Sequence, residues 1–89
     1  MIEEDLEIIN RLGLHARAAA KLAKTCNRYG CHIKTGHGGK LVDAKSVMSL
    51  MLLAAGQGKV LTFQFDGVDE EAAFEQVKQL FLDYFGEGD

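Results

Sequence analysis

The sequence predicts an α+β fold in which four antiparallel strands form one sheet and three helices cover one face of it. The length of 89 residues suits one domain, so residues 1–89 are expected to fold as a single unit. Hydrophobic residues make up 47% of the chain and charged residues 26%, as in ordinary globular proteins. Strand-like and helix-like spacings alternate in the order β-α-β-β-α-β-α. Strands with one apolar side favour antiparallel pairing, which gives an open-faced sandwich.

The first two elements follow from two different hydrophobic spacings. Residues 2–9 alternate loosely between apolar and acidic side chains, which predicts a half-buried strand. Residues 16–28 are rich in alanine and place apolar side chains at helical spacing. They are therefore predicted to form a helix that Gly30 ends.

The middle of the chain predicts a hairpin and a short helix. Residues 31–35 and 40–43 are expected to be short strands on either side of the glycine-rich turn at 36–39. Ser46 is placed to cap a short apolar helix over about residues 47–54, because a serine oxygen accepts a hydrogen bond from the first helical turn.

The last strand and helix complete the predicted fold. Residues 60–65 alternate again, so their three apolar side chains are expected to face the helices. Asp69 is predicted to N-cap a final helix, whose apolar stripe runs to Tyr84 and which Gly86 ends.

The charge of the chain is unevenly distributed. Residues 11–59 carry nine Lys or Arg and one acid, whereas residues 60–89 carry eight acids and one Lys. A cationic face on an anionic body could attract phosphate, nucleic acid or an acidic protein. No apolar run approaches the ~20 residues of a membrane span, and the acidic start of the chain is unlike a secretory signal. We therefore expect a cytoplasmic protein that does not bind membranes.

The stretch Gly13-Leu14-His15-Ala16-Arg17 contains the strongest candidate for chemistry. His15 lies at or beside the N-cap of the first helix, where Ser, Thr, Asp or Asn is usual. A phosphate on this imidazole would meet the unpaired N–H groups of Ala16 and Arg17 and the positive end of the helix. The guanidinium of Arg17 could bind the phosphate oxygens. An ordinary surface histidine at a helix start would show the same local pattern.

Ser46 and its helix form a second candidate stretch, Lys-Ser-Val-Met-Ser-Leu-Met at residues 45–51. Ser46 is most simply a helix cap, but a cap serine can also be phosphorylated, because negative charge is favoured at a helix N-terminus. Val47, Met48 and Met51 cannot all face inward on so short a helix. One or two of them are expected at the surface as adaptable contact area, unless they complete the core.

Together the two stretches resemble the histidine-containing phosphocarrier family, HPr, of the bacterial phosphoenolpyruvate-dependent phosphotransferase system. The element order and length are also similar to that family. The resemblance implies that Enzyme I phosphorylates His15 on Nδ1 and that an EIIA-type domain receives the phosphoryl group. It implies that Arg17 stabilises the phosphate, and that Ser46 matches a regulatory serine that HPr kinase/phosphorylase modifies in some bacteria.

The resemblance also implies a partner surface and a simple carrier. The matching positions on the two helices are Ala20, Lys24, Val47, Met48 and Met51. The family pattern implies a monomer that acts as a stoichiometric carrier and not as an enzyme, with no cofactor and no metal.

Three positions depart from the family pattern. Ala18 stands where proline is usual, Ser49 replaces a frequent glycine, and the pair Ala54-Ala55 replaces a glycine that is common after the short helix. These changes are similar to the nitrogen-regulatory branch, NPr, or to a proteobacterial carrier in a reduced pathway, so both sugar uptake and nitrogen regulation stay open as the pathway served.

Three other functions fit the sequence less well than a carrier does. The β-α-β-β-α-β order occurs in RNA-recognition folds, but those stack bases on strand aromatics, and the two middle strands carry none. A metal site would have to use residues whose spacing matches no strong zinc pattern; they are Cys26, Cys31, His32 and His37. A stand-alone enzyme would need paired carboxylates, a catalytic triad or a phosphate-binding loop, and the sequence contains none of these patterns.

Overall fold

The structure is a computed structural model that describes residues 1–88. The strands are β1 (Ile2–Glu7), β2 (His32–His37), β3 (Lys40–Asp43) and β4 (Val60–Asp66). The helices are α1 (Ala16–Cys26), α2 (Val47–Leu52) and α3 (Glu70–Leu82), and a 3₁₀ turn at Tyr84–Gly86 follows them. The predicted order β-α-β-β-α-β-α is therefore confirmed.

The four strands form one sheet in the order β1-β4-β2-β3, and every neighbouring pair is antiparallel. Strand β4 lies between β1 and β2, so Phe65 is opposite Ile2 on one side and Ile33 on the other. Leu61, Phe63 and Phe65 are buried, as their alternation predicts. The helices cover this apolar face, which confirms the α+β open-faced sandwich.

Aromatic side chains connect the sheet to α3 and to the turn after it. The rings of Phe63 and Phe81 meet edge to face with centroids 5.5 Å apart, and Phe65 meets Phe74 at 5.7 Å. Phe81 in turn packs against Phe85 at 4.9 Å. Such pairs contribute beyond the area they bury, so the C-terminal turn belongs to the core.

The other face of the sheet is polar. Gln64 donates a hydrogen bond to Glu3 at 3.1 Å, and Thr62 donates one to Asp5 at 2.8 Å across neighbouring strands. The phenylalanines of β4 face the helices instead, so this surface does not favour base stacking and RNA recognition. No helix in the described part of the chain reaches the length and apolarity needed to cross a membrane.

The end of the last helix differs from the prediction. The helix stops at Leu82, and Tyr84 and Phe85 take left-handed backbone angles, with φ of 55° and 52°. Phe85 is fully buried, whereas Tyr84 is 37% exposed. The expected stripe through Tyr84 is therefore wrong, because the chain turns out of the helix to bring Phe85 into the core.

The predicted cap at Asp69 is also wrong in its chemistry. Asp69 occupies the N-cap position of α3, but its carboxylate accepts hydrogen bonds from the N–H groups of Gly30 at 2.8 Å and Cys31 at 3.0 Å. Those two donors belong to the loop between α1 and β2. Asp69 thus joins that loop to the start of α3, 38 residues away.

Several other boundaries shift by a few residues. Helix α1 ends at Cys26, before Gly30, and the side-chain amide of Asn27 donates to the carbonyl of Ala23 at 2.8 Å. Strand β1 ends two residues earlier than expected, at Glu7, and β2 extends to His37. The hairpin turn is therefore tighter than the predicted span of 36–39.

Candidate functional site

His15 is the N-cap residue of α1, as predicted, with an extended backbone at φ −79° and ψ −178°. At the start of the helix, the N–H of Ala19 donates to the carbonyl of His15 at 2.8 Å. The N–H groups of Ala16 and Arg17 therefore precede the helical ladder, at the end of the helix where partial positive charge accumulates. An anion carried by His15 would meet these donors.

Gly13 sets the direction of the chain as it enters the site. Its φ is 70°, and a Cβ at this position would lie 2.8 Å from the carbonyl oxygen of Ala55. The next residue, Leu14, donates its N–H to that same carbonyl at 2.8 Å. Only glycine fits this close approach without strain, so the loop before His15 is docked firmly on the segment after α2.

The imidazole of His15 pairs with Glu87 near the end of the chain. Nε2 of His15 faces Oε2 of Glu87, and the two side chains are 30% and 9% exposed. The amide Nδ2 of Asn10 donates to Oε1 of Glu87 at 2.9 Å and to the carbonyl of Gly13 at 2.9 Å. Both partners of Nδ2 are acceptors, and this fixes the orientation of the Asn10 amide.

Sequence reasoning missed both Glu87 and Asn10. The available signal was weak: Glu87 lies between Gly86 and Gly88, beyond the predicted helix, where an acid has no helical role. Burial alone would raise the pKa of Glu87, but hydrogen bonds from Asn10 and His15 outweigh it and hold that pKa below its usual value. Glu87 is therefore a carboxylate at neutral pH.

An open depression of about 560 Å³ lies beside the histidine. Its lining combines the start of α1 with the C-terminal segment: Arg11, Leu12, His15, Ala16, Arg17, Gly86 and Glu87. Arg17 is exposed, and its charge also acts on Glu87.

Helices α1 and α2 run in opposite directions, which separates the two predicted phosphorylation sites. The start of α1 is joined to the segment after α2 by the bond from Leu14 to Ala55. The end of α1 is joined to the start of α2 by Asn27, which donates to the carbonyl of Lys45 at 3.0 Å. With ~1.5 Å of rise per residue, the 11 residues of α1 separate Ser46 from His15 by roughly 16 Å along the axis of that helix.

Ser46 is the N-cap of α2, as predicted. Its Oγ accepts a hydrogen bond from the N–H of Ser49 at 3.2 Å, and its backbone is extended. The side chain is half-buried. The capping interpretation is therefore confirmed, whereas phosphorylation of Ser46 stays a prediction.

Helix α2 exposes more apolar surface than predicted. Val47, Met48 and Met51 are 39%, 68% and 42% exposed, so all three reach the surface and the expectation of one or two was too low. The adjoining Leu52 is 79% exposed, while Leu50 is the buried residue of this helix. We call Val47, Met48, Met51 and Leu52 the α2 patch.

On the neighbouring helix, Ala20 and Lys24 are exposed at i, i+4 spacing and so share a face of α1. Lys21, on the same helix, is half-buried. Its Nζ donates to the carbonyl of Phe85 at 2.8 Å, so Lys21 secures the C-terminal segment.

Cys26 and Cys31 are buried free thiols. Burial raises the pKa of Cys26 to about 12 and that of Cys31 to about 11. His37 places Nε2 3.3 Å from the carbonyl of Leu53. Within residues 1–88, no three His, Cys, Asp or Glu side chains gather in a way that could hold a metal ion.

Comparison with known proteins identifies the family. The family model described as "PTS HPr component phosphorylation site" matches residues 2–83. The chain belongs to the HPr family. It is 45% identical over 89 residues to the phosphocarrier protein HPr of Cupriavidus necator, and the match covers all of both chains.

Solved HPr structures share the fold. A crystal structure of HPr-C-His from Thermoanaerobacter tengcongensis has a TM-score of 0.94 and 39% identity, with 98% of each chain covered. An HPr dimer from the same bacterium has a TM-score of 0.78 and 39% identity, covering 98% of this chain and 100% of that one. The resemblance to HPr, a phosphocarrier family of the phosphotransferase system, is thus confirmed. The expected monomer stays a prediction.

Proposed function

We propose that this HPr protein accepts a phosphoryl group from Enzyme I on Nδ1 of His15 and passes it to an EIIA-type domain. The placement of His15 at the start of α1, beside the N–H groups of Ala16 and Arg17, supports this most directly. The chain acts as a stoichiometric carrier in the cytoplasm, as a monomer formed by the single domain 1–89.

The transfer needs one nucleophilic nitrogen and a place for negative charge. The Nδ1 lone pair of His15 forms a bond to phosphorus while the bond from phosphorus to the donor breaks and its electrons stay with the donor. In the second step the acceptor's nucleophile takes the phosphorus, and the electron pair returns to His15. The helix end and Arg17 receive the phosphate oxygens. A helix N-terminus stabilises a negative charge by only ~0.3–1 kcal/mol, so the phosphoryl group stays transferable.

The α2 patch, together with Ala20 and Lys24, is the proposed docking surface for both partners. Its exposed methionines adapt their shape, and flexible Met-rich surfaces suit proteins that bind more than one partner. A carrier must bind donor and acceptor in turn, so one adaptable surface serves both steps.

Ser46 is proposed as a regulatory site for HPr kinase/phosphorylase. A phosphate on Ser46 would lie at the start of α2, where negative charge is favoured, and beside Val47 and Met48 of the α2 patch. Ser46 lies roughly one length of α1 from His15, so the phosphate would change the docking surface and not the acceptor nitrogen.

The acceptor is tested with phosphoenolpyruvate and Enzyme I, followed by intact mass measurement with and without acid. The expected product carries one acid-labile phosphate, and His15→Ala carries none. His32→Ala, which removes an exposed histidine of β2, is the matched control and should react normally. An acid-stable adduct, or an unchanged adduct in His15→Ala, would contradict the proposal.

The docking surface is tested by a charge placed on the α2 patch. Met48→Asp should slow phosphorylation by Enzyme I at limiting concentrations, because a charge in an apolar contact is poorly solvated. Val68→Asp is the control, since Val68 is fully exposed between β4 and α3. Equal effects of the two substitutions would place docking elsewhere.

The role of Ser46 needs a separate test with the kinase and ATP. The proposal expects one acid-stable phosphate that is absent in Ser46→Ala. No acid-stable phosphate on the wild-type protein would restrict Ser46 to capping.

A further inference from the structure

We infer that Glu87 is a positioning residue that keeps the imidazole hydrogen of His15 on Nε2 and so leaves the lone pair of Nδ1 available to the phosphoryl group. This inference rests on the proposed function of His15 as acceptor. It is carried by the pairing of Nε2 with Oε2 of Glu87 and by the bond from Asn10 that holds the same carboxylate.

The chemistry of the two side chains decides which nitrogen carries the hydrogen. A neutral imidazole has one N–H and one lone pair, whereas a carboxylate can only accept hydrogen bonds. The nitrogen of His15 that faces Glu87 must therefore be the donor, and the other nitrogen keeps its lone pair.

Glu87 does not reach the histidine as a loose tail. Phe85 is fully buried in the core, and its carbonyl accepts a hydrogen bond from Lys21 at 2.8 Å. Gly86 then takes φ of 76°, where a Cβ would lie 2.8 Å from the Lys21 amine. The segment is thus fixed immediately before Glu87, and Asn10 fixes the carboxylate itself.

The contact from Asn10 makes the amide substitution unusually informative. Nδ2 of Asn10 donates both to Glu87 and to the carbonyl of Gly13. Rotating the Asn10 amide by half a turn would place its oxygen against these two acceptor oxygens, so the amide orientation is fixed. In Glu87→Gln the amide oxygen must therefore face Asn10, and the amide NH₂ must face His15. Nε2 of His15 then has to accept, which moves the hydrogen to Nδ1 and removes the nucleophile.

We expect the conservative substitution, Glu87→Gln, to slow phosphorylation more than Glu87→Ala does. Glu87→Ala removes the constraint and should slow phosphorylation of His15 by about 10-fold, as expected for losing one charge-assisted bond. Glu87→Gln imposes the wrong tautomer and should slow it by about 100-fold, less than the ~10⁴ of the comparable change in a serine-protease triad. A purely structural role would make the isosteric glutamine the milder change.

The experiment combines rates of phosphorylation by Enzyme I with ¹⁵N NMR of the His15 ring in the unphosphorylated protein. The ring should carry its hydrogen on Nε2 in the wild type and on Nδ1 in Glu87→Gln. The double variant Asn10→Ala/Glu87→Gln lets the glutamine turn its oxygen to His15, so it should react faster than Glu87→Gln alone. Glu75→Gln, which changes an exposed acid on α3, should behave as wild type.

The inference is overturned if Glu87→Gln keeps the hydrogen on Nε2, or if it reacts as fast as Glu87→Ala while both variants unfold at the wild-type temperature. This failure differs from failure of the proposed function. If His15→Ala still accepts an acid-labile phosphate, the acceptor itself is wrong, whatever tautomer the ring adopts.

Discussion

Ala54 is the residue at which the chain leaves α2 in a left-handed conformation, with φ of 51°. Its side chain is exposed, so removing the methyl group costs little packing. The left-handed conformation costs a non-glycine residue ~1–2 kcal/mol, and a glycine adds ~0.4–1 kcal/mol of entropy to the unfolded chain. The difference predicts that Ala54→Gly raises the free energy of unfolding by about 0.5–1 kcal/mol.

For a domain of this size, such a gain raises the melting temperature by about 3–6 °C. Thermal unfolding followed by circular dichroism measures it, and urea unfolding should show a higher midpoint at unchanged slope. Ala72→Gly is the matched control, because Ala72 is also exposed but lies in the first turn of α3, where glycine costs up to ~1 kcal/mol. If both substitutions lower the melting temperature by similar amounts, Ala54 is not strained and the reasoning fails.

Three further predictions concern stability and reactivity. Ser46→Ala should lower the free energy of unfolding by about 1 kcal/mol in urea, whereas Ser46→Asp should keep it, since aspartate also caps; equal losses would contradict the capping role. Backbone hydrogen bonds lower the pKa values of Asp69 and Glu70 from 3.8 and 4.5. The unfolded chain therefore takes up protons first, and stability present above about pH 4.5 is lost as the pH falls further. In Asp69→Asn, urea midpoints between about pH 7 and 2 should fall less steeply than in the wild type. Burial should keep Cys26 and Cys31 unreactive towards thiol reagents at about pH 8 until the protein unfolds; fast labelling of the native protein would contradict their burial.

The fold was predictable because its signals are local. The alternation at 60–65 places Phe63 and Phe65 on one face of β4, and this period-2 pattern determines which side of the sheet the helices cover. Ser46 and His15 were predicted at or beside N-cap positions for the same reason, since capping depends on a few neighbouring residues.

The wrong predictions concern residues whose role depends on contacts with distant parts of the chain. Tyr84 and Phe85 lie three and four residues after Phe81, so helical spacing allows either to be buried. The choice of Phe85 depends on the left-handed turn that brings it onto Phe81. Asp69 likewise looks like a cap locally, but the loop at Gly30 uses its carboxylate.

The candidate site therefore combines residues close to His15 in sequence with a residue from the C-terminal segment. The helix start with His15 and Arg17 lies within the residues that the HPr family model matches, 2–83, whereas Glu87 lies beyond them. The phosphate-binding donors can thus belong to the family pattern while the partner of Nε2 is supplied by the C-terminal segment, 72 residues from His15 in sequence. It follows that removing the Glu87 carboxylate should weaken the nucleophile and leave the phosphate-binding donors of α1 in place. Loss of Arg17 should do the reverse, because its guanidinium acts on the phosphate oxygens and not on the tautomer of the ring.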